Sequence, residues 1–182
     1  MPRSADGGVP DGAPILITMG EPAGVGPDII LQLHAQRVAL GVPPFVVYGH
    51  PEFLASRAAR LGLGVSIVES TPADAPGGFV DALPVVAVAG LVPDRPGEAS
   101  PVSGKAVIEA IRRAVEDTLS GACRGIVTAP INKAALYAAG FTHPGHTEFL
   151  AALSARNGIE PLPVMMLAHE DLRVVPLTIH VP

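Results

Sequence analysis

A strand, a glycine-rich turn and a helix are predicted by residues 14–33, which read Pro14-Ile-Leu-Ile-Thr-Met-Gly-Glu-Pro-Ala-Gly-Val-Gly-Pro-Asp-Ile-Ile-Leu-Gln-Leu33. The continuous apolar run Pro14–Met19 is typical of a β-strand that is buried on both faces of a parallel sheet. Gly20–Gly26 interrupts that run, and Pro27 suits the first position of a helix that we expect over Ile29–Leu40. This unit indicates a protein in which strands alternate with helices.

The same alternation continues along the rest of the chain. Further strands are predicted over Phe45–Tyr48, Val65–Val68, Leu83–Ala89, Ile126–Thr128, Leu162–Ala168 and Leu172–Ile179. Further helices are predicted from Glu52 to Gly62 and over Val102–Leu119, Asn132–Ala139 and Thr147–Arg156. Because alternating strands and helices join through right-handed crossovers, the predicted fold class is α/β, with a mainly parallel, doubly wound sheet.

Composition excludes several classes of protein. Hydrophobic residues make up 48% of the chain and charged residues only 16%, which excludes a disordered protein. The net charge is −5 and no basic run is present, which argues against nonspecific nucleic-acid binding. Cys123 is the only cysteine, which excludes an intrachain disulfide and a cysteine zinc site. No apolar stretch reaches the roughly 20 residues of a membrane span, and Met1–Gly12 has no signal-peptide pattern. We therefore expect a soluble, cytoplasmic protein.

Two glycine- or proline-containing turns follow predicted strands, where doubly wound sheets bind their ligands. Gly20–Pro27 could let the backbone approach a ligand, but its spacing fits neither the dinucleotide nor the P-loop fingerprint. A tight strand-to-helix turn explains the same residues. Lys133 follows Thr128-Ala-Pro-Ile-Asn132 and could place a cation beside a helix N-terminus that holds an anion. A solvated surface lysine is the alternative.

Three histidines are candidates for ligand binding. Gly145–Glu148 begins a predicted helix, where backbone N–H groups, an imidazole and a hydroxyl could seat a phosphate or carboxylate. The alternative is that Thr147 is an ordinary N-cap. His143 and His146 form a His-x-x-His pair, but the intervening proline disfavours a helical metal site. His180 follows an apolar run and is either a ligand or an ordinary strand-end residue, and one imidazole cannot make a catalytic metal site.

Four segments occur in an order that is typical of one enzyme family. They are Ile17–Pro27, Ile126–Lys133, Gly145–Phe149, and Val164–Leu167 followed by Leu177–Pro182. Together they resemble 4-hydroxythreonine-4-phosphate dehydrogenases of pyridoxal phosphate biosynthesis, and the likeness runs from Ile15 to the last residue. The resemblance implies an isocitrate/isopropylmalate-dehydrogenase-like fold and a homodimer with a shared active site. It also implies NAD or NADP as cofactor, a divalent metal (Zn, Mg or Co) and a small phosphorylated substrate.

The resemblance also implies roles for single residues. His146 and Thr147 of the Gly-His-Thr motif would bind substrate, and His180 of the Thr-x-His-x-Pro motif would bind the metal. The implied reaction oxidises 4-phosphooxy-L-threonine to a β-keto acid that decarboxylates to 3-amino-2-oxopropyl phosphate. The metal would act as a Lewis acid and the hydride would pass to the nicotinamide. No general base and no cofactor-binding residue is assigned.

The expected organisation is that of the N-terminal part of a longer two-domain protein, because the family's other metal histidines lie further along. We expect a flexible leader over residues 1–13, part of a first α/β domain over 14–128 and the start of a second domain over 129–182. Two other functions stay open: a paralogous dehydrogenase of phosphorylated sugar acids or cis-dihydrodiols, and an inactive module that keeps some substrate or dimer contacts. The chain alone is expected to show low or no activity.

Overall fold

The computed structural model describes residues 12–176 of the chain. The strands within them are β1 (Ile15–Thr18), β2 (Phe45–Gly49), β3 (Ile67–Glu69), β4 (Leu83–Ala87), β5 (Ile126–Thr128), β6 (Leu167–His169) and β7 (Leu172–Val174). The helices are α1 (Gly26–Ala35), α2 (Pro51–Arg60), α3 (Ala75–Gly78), α4 (Pro101–Leu119), α5 (Lys133–Ala138) and α6 (His146–Leu153).

Strands β1–β5 form one sheet in the order β3-β4-β2-β1-β5, and every neighbouring pair is parallel. β1 lies between β2 and β5, with Leu16 beside Val46 on one side and beside Ile126 on the other. The carboxyl ends of β1 and β5 therefore lie next to each other. The parallel arrangement that the alternating pattern predicts is confirmed.

Successive residues of the central strands enter two separate cores, as expected for a sheet covered on both faces. On one face, Ile17 and Val47 pack with Leu31 of α1 and Leu54 of α2. On the other face, Leu16, Val46 and Tyr48 pack with Ala106, Ala110 and Ala114 of α4. Helices thus cover both faces, which confirms the predicted doubly wound fold.

Helix α1 ends at Ala35, five residues before the predicted end at Leu40. The apolar residues Val38 and Leu40 extend the helical pattern in the sequence, but both are exposed and gain nothing from burial. Arg37 instead donates from Nη1 to the carbonyl oxygen of His34 at 2.8 Å, which satisfies a carbonyl of the last turn. The segment then turns back toward β2 through Gly41, whose φ is +61°.

Other elements also differ from the prediction. β3 begins at Ile67, and the short helix α3 lies within residues 70–82, where a loop is expected. The strand predicted over Leu162–Ala168 is reduced to β6, because residues 162–166 pair with no strand of the described part of the chain. β6 and β7 form an antiparallel hairpin, and the predicted continuation of β7 to Ile179 extends outside the described residues.

The chain divides into two compact units, with the boundary between Thr142 and His143. The first contains the five-stranded sheet and α1–α5, and the second contains α6 and the β6–β7 hairpin. The domain boundary expected after Thr128 is a different division and stays a prediction. Most of the expected leader, residues 1–11, lies outside the described residues. None of the helices in residues 12–176 is both long enough and apolar enough to cross a membrane.

His34 of α1 is a buried histidine whose ring binds a backbone carbonyl oxygen. Its Nε2 lies 3.0 Å from the carbonyl oxygen of Phe79, so Nε2 carries the proton, and Nδ1 is buried without a partner. Burial lowers the pKa of His34 below its ordinary value of 6.5, and the nearby charge of Arg37 lowers it further. The imidazole is therefore neutral in the folded protein at pH 7.

We expect His34 to make stability depend on pH. The unfolded chain binds a proton at His34 more readily than the folded protein does. The free energy of unfolding is therefore unaffected by this group above about pH 6.5, and it decreases as the pH falls from there through the lowered pKa. The slope is at most about 1.4 kcal/mol per pH unit. Urea unfolding at several pH values checks this, with His34→Gln as the variant that cannot titrate. An identical pH dependence in the parent and the variant would contradict the assignment.

Candidate functional site

Two loops meet at the carboxyl ends of β1 and β5. Residues 19–25 connect β1 to α1, and residues 129–132 connect β5 to α5. The backbone N–H of Glu21 donates to the carbonyl oxygen of Pro130 at 2.9 Å, which joins the loops directly. The structure therefore brings together the first two segments that carry the family resemblance.

Glycine is required at two positions of this contact. Gly20 has a φ of +72°, and a Cβ atom there would lie 2.5 Å from the carbonyl oxygen of Pro130. A Cβ atom on Gly26 would lie 2.7 Å from the carbonyl oxygen of Met19 and 2.8 Å from Cβ of Ala129. All three distances are too short for real contacts, so the two loops can approach this closely only because both glycines lack side chains.

Glu21 is a buried carboxylate at the start of the first loop. Its Oε1 accepts from the backbone N–H of Ala23 at 3.1 Å, and its carbonyl oxygen accepts from Gly24 at 2.9 Å. These bonds close a tight turn. The interpretation of Gly20–Pro27 as a strand-to-helix turn fits this geometry, and no backbone N–H of Glu21, Ala23 or Gly24 is left free for a ligand.

A buried arginine ties the same loop to two other segments. Arg57 of α2 is 1% exposed and donates from Nη2 to the carbonyl oxygen of Pro22 at 2.8 Å. It also donates from Nη1 to Asp28 at 2.6 Å and from Nε to Asp94 at 2.7 Å. Burial opposes its charge, but the hydrogen bonds that it donates to both carboxylates raise the pKa of Arg57, so the guanidinium stays protonated.

A polar cleft of about 390 Å³ lies beside this arginine. Glu21–Ala23 line one side, and residues from Leu91 to Ser103 line the other. Ser100 caps α4 at the cleft by accepting from the backbone N–H of Val102 at 3.3 Å. The Val102 N–H group in the first turn of α4 is therefore already bound by the protein.

Lys133 shows the features of a surface lysine. It is exposed at the first position of α5, and the N-terminus of α5 is capped by Asn132, whose Oδ1 accepts from Ala135 at 3.0 Å. Because the side chain of Asn132 already binds an N–H of the first turn, the predicted anion seat is partly filled by the protein itself.

The Gly-His-Thr motif begins α6 in the second unit. Gly145 is the N-cap with extended backbone, His146 is the first helical residue and Thr147 is exposed at the second. Thr147 is therefore not the N-cap, which removes the alternative interpretation of this motif. His146 Nε2 is buried without a hydrogen-bond partner, and burial lowers the pKa of His146 below 6.5, so the ring is neutral at pH 7.

The comparisons with known proteins agree on one family. A family model described as pyridoxal phosphate biosynthetic protein PdxA matches residues 42–182. The chain belongs to this family. A curated 4-hydroxythreonine-4-phosphate dehydrogenase of Methylorubrum populi is 49% identical over 174 residues, which are 94% of this chain and 50% of that protein. One of Xanthobacter autotrophicus is 46% identical over 93% of this chain and 49% of that protein.

Solved structures of related enzymes have the same fold as this chain. The 4-hydroxythreonine-4-phosphate dehydrogenase of Klebsiella pneumoniae matches with a TM-score of 0.79 and 35% identity, over 93% of this chain and 52% of that chain. A terephthalate 1,2-cis-dihydrodiol dehydrogenase of Burkholderia xenovorans shares the fold at 24% identity, with a TM-score of 0.63 over 90% of this chain and 47% of that chain. The PdxA-family chain thus spans about half the length of the curated relatives it matches.

The described residues of this PdxA-family chain do not form a metal site by themselves. Across residues 12–176, no three His, Cys, Asp or Glu side chains are grouped so that they could hold a metal ion. His143 packs against the ring of Phe149 at a centroid distance of 4.9 Å. His180, the predicted metal ligand, lies outside the described residues.

Sequence reasoning missed Arg57. A usable signal was present, since Phe53, Leu54, Arg57 and Ala58 recur at the spacing of one helix face and are all buried. A charged residue on an otherwise apolar helix face indicates a buried ion pair. Its partners lie 29 and 37 residues away in sequence, so the pattern of α2 alone could not identify them.

Proposed function

We propose that this chain supplies one half of an NAD(P)-dependent dehydrogenase that oxidises 4-phosphooxy-L-threonine in pyridoxal phosphate biosynthesis. Membership of the PdxA family and the names of the curated relatives support the reaction class. When bound, NAD or NADP would supply a hydride acceptor for oxidation of the carbinol carbon. The hydroxyl proton would pass to a base, and the resulting β-keto acid would release its carboxylate as CO₂. The remaining product is 3-amino-2-oxopropyl phosphate.

The observation that carries the proposal is the unpartnered Nε2 of His146. A buried polar atom without a hydrogen bond is costly, and a substrate oxygen would satisfy it. The first-turn N–H groups of α6 and the exposed hydroxyl of Thr147 offer further donors for a phosphate or carboxylate. His146 and Thr147 therefore act as substrate anchors in this proposal, and neither serves as the general base.

We also propose that His180 binds a divalent metal. Zn, Mg or Co would supply Lewis-acid chemistry when bound. Because no three potential ligands are grouped among residues 12–176, these residues cannot complete the site with His180 alone, and further ligands would come from outside them. We also propose that the NAD(P) site lies outside the described residues, since the backbone N–H groups of Glu21, Ala23 and Gly24 already bind protein oxygens.

The second unit also supports a homodimer with a shared site. Leu167 and Leu172 of the β6–β7 hairpin are largely exposed, as are the preceding residues Val164, Met165 and Met166. A lone two-stranded hairpin is marginally stable in water, and a contiguous exposed apolar surface marks an interface. A second subunit would cover this surface. We place the enzyme in the cytoplasm.

Turnover by a completed enzyme tests the proposed function. The chain alone is compared with a chimera in which the unmatched half of the Methylorubrum populi relative follows Pro182. Reduction of NAD and NADP is followed with 4-phosphooxy-L-threonine, a phosphorylated sugar acid and a cis-dihydrodiol as substrates. We expect turnover of 4-phosphooxy-L-threonine by the chimera and little or none by the chain alone. Turnover of only another substrate, or robust turnover by the chain alone, would contradict the proposal.

The role of His146 is tested in the same chimera. His146→Ala removes the anchoring imidazole and should lower kcat/KM about tenfold or more, the equivalent of one hydrogen bond to a charged group. Glu160→Ala is the control, because Glu160 is an exposed residue of the same unit and lies outside the β6–β7 hairpin. Equal activity of the two variants would remove His146 from the substrate site.

A further inference from the structure

The loop after α6 contains an Asn-Gly pair at the tip of a tight turn. The backbone N–H of Arg156 donates to the carbonyl oxygen of Ile159 at 3.0 Å, and the N–H of Ile159 donates to the carbonyl oxygen of Arg156 at 3.0 Å. Asn157 and Gly158 lie between them, with φ values of +53° and +76°. Positive φ at both central residues is typical of a type I′ turn, in which Asn-Gly is a preferred pair.

Two hydrogen bonds hold this turn closed, and burial adds little to them. Residues 155–166 are all exposed, and the Asn157 side chain has no hydrogen-bond partner within residues 12–176. Ile159 is 74% exposed. A segment with exposed hydrogen bonds and little burial opens locally at a small cost in free energy. We therefore expect the turn to open while the rest of the second unit stays folded.

Asparagine is a chemically labile residue, and a following glycine increases its reactivity because no side chain shields the glycine nitrogen. That backbone nitrogen attacks the side-chain amide carbon of the asparagine, and its proton leaves with the amide nitrogen as ammonia. The new C–N bond closes a succinimide ring. Water then breaks one of the C–N bonds of the ring and leaves aspartate or isoaspartate. Water is the co-reactant, and no group is oxidised or reduced.

We propose that Asn157 is a deamidation site, protected while the turn is closed and reactive when the turn opens. In the left-handed conformation ψ is about +47°, which directs the Gly158 nitrogen away from the side-chain amide carbon of Asn157. Ring closure needs this nitrogen and the Asn157 Cβ on the same side of the Cα–C bond, so the hydrogen bonds between Arg156 and Ile159 have to break first. Isoaspartate then adds a methylene group to the backbone, so the closed turn cannot form again.

Asn132 is an internal control for this chemistry. It is the other asparagine of the chain, but Lys133 follows it in place of a glycine. Its Oδ1 accepts from the backbone N–H of Ala135 at 3.0 Å, which fixes the side-chain amide at the N-terminus of α5. We expect Asn132 to keep its amide in the folded chain.

Peptide mass mapping of the full chain tests the site. The chain is incubated in mildly alkaline buffer, both folded and unfolded in urea, and conversion to aspartate and isoaspartate is followed at Asn157 and Asn132. We expect Asn157 to react in both states, and at least about tenfold more slowly in the folded chain. Equal rates at Asn157 in the two states would overturn the proposal. Conversion of Asn132 as fast as Asn157 in the folded chain would also overturn it.

Two variants of Ile159 separate the opening of the turn from the intrinsic reactivity of the Asn-Gly pair. Ile159→Pro removes the N–H that closes the turn, whereas Ile159→Ala keeps it and is the matched control. Because this side chain is exposed, neither change removes a buried contact. We expect Ile159→Pro to abolish the difference between the folded and unfolded rates and Ile159→Ala to preserve it. The same difference in both variants would overturn the proposal. Mass mapping requires no catalysis, so its result is independent of the proposed function.

Discussion

Replacing Gly20 by alanine is expected to lower the free energy of unfolding by about 3 kcal/mol, combining a left-handed backbone penalty with overpacking. The backbone at Gly20 has a φ of +72°, and the new Cβ would lie 2.5 Å from the carbonyl oxygen of Pro130. A backbone oxygen cannot move aside as the end of a flexible side chain can. The β1–α1 loop therefore has to separate from the β5–α5 loop.

Gly62→Ala is the matched control for Gly20→Ala. Gly62 has a similar φ of +67°, but a Cβ atom there has nothing within 4 Å. The free energy of unfolding of this variant should fall only by the left-handed backbone penalty, roughly 1 kcal/mol. Urea unfolding of both variants separates the two contributions. Equal losses would show that the contact between Gly20 and Pro130 does not constrain the two loops.

The sheet could be predicted from sequence because its strands are continuous apolar runs between turn residues. Ile15–Thr18, Leu83–Ala87 and Ile126–Thr128 all lie where the pattern places them. The end of α1 could not, because Val38 and Leu40 continue the apolar pattern without being buried. Hydrophobicity along the chain indicates which residues could be buried, but only packing determines which ones are.

The site was predictable only in part, for a related reason. The rule that loops at strand carboxyl ends carry ligands identified Gly20–Pro27 and Lys133 as candidates. Whether these loops touch depends on β5 lying beside β1, and the strand order is a property of the whole sheet. His146 Nε2 is unpartnered because the surrounding residues bury it. The sequence Gly-His-Thr alone does not show which residues those are.

Asp94→Ala is expected to cost about 3 kcal/mol of unfolding free energy, in the range for removing one partner of a buried ion pair. Asp94 is 11% exposed and accepts hydrogen bonds from Arg57 at 2.7 Å and from Arg60 at 2.9 Å. Without it, the buried guanidinium of Arg57 keeps Asp28 and the carbonyl oxygen of Pro22 but loses its partner at Nε. The remaining charge is only partly compensated.

Glu98→Ala is the control for this loss. Glu98 pairs with Arg95 at 3.9 Å in the same loop, but both side chains are 73% exposed. Solvent screens such a pair, so the variant should change stability by less than about 1 kcal/mol. Thermal or urea unfolding of both variants checks the contrast. A similar small effect for Asp94→Ala would mean that Asp28 alone satisfies Arg57.

The pH dependence gives a second measure of the same ion pair. Burial raises the pKa of Asp94, but the hydrogen bonds from Arg57 and Arg60 outweigh this and hold it below its ordinary value of 3.8. The unfolded chain therefore binds the proton first, and the stabilisation is complete above about pH 4 and is lost as the pH falls through the lowered pKa. Asp94→Asn keeps the size of the side chain but cannot titrate, so part of the acid sensitivity should disappear with the charge. Because Arg57 also binds Pro22, this ion pair fixes the β1–α1 loop, and its loss should loosen the same contact with Pro130 that Gly20→Ala disrupts.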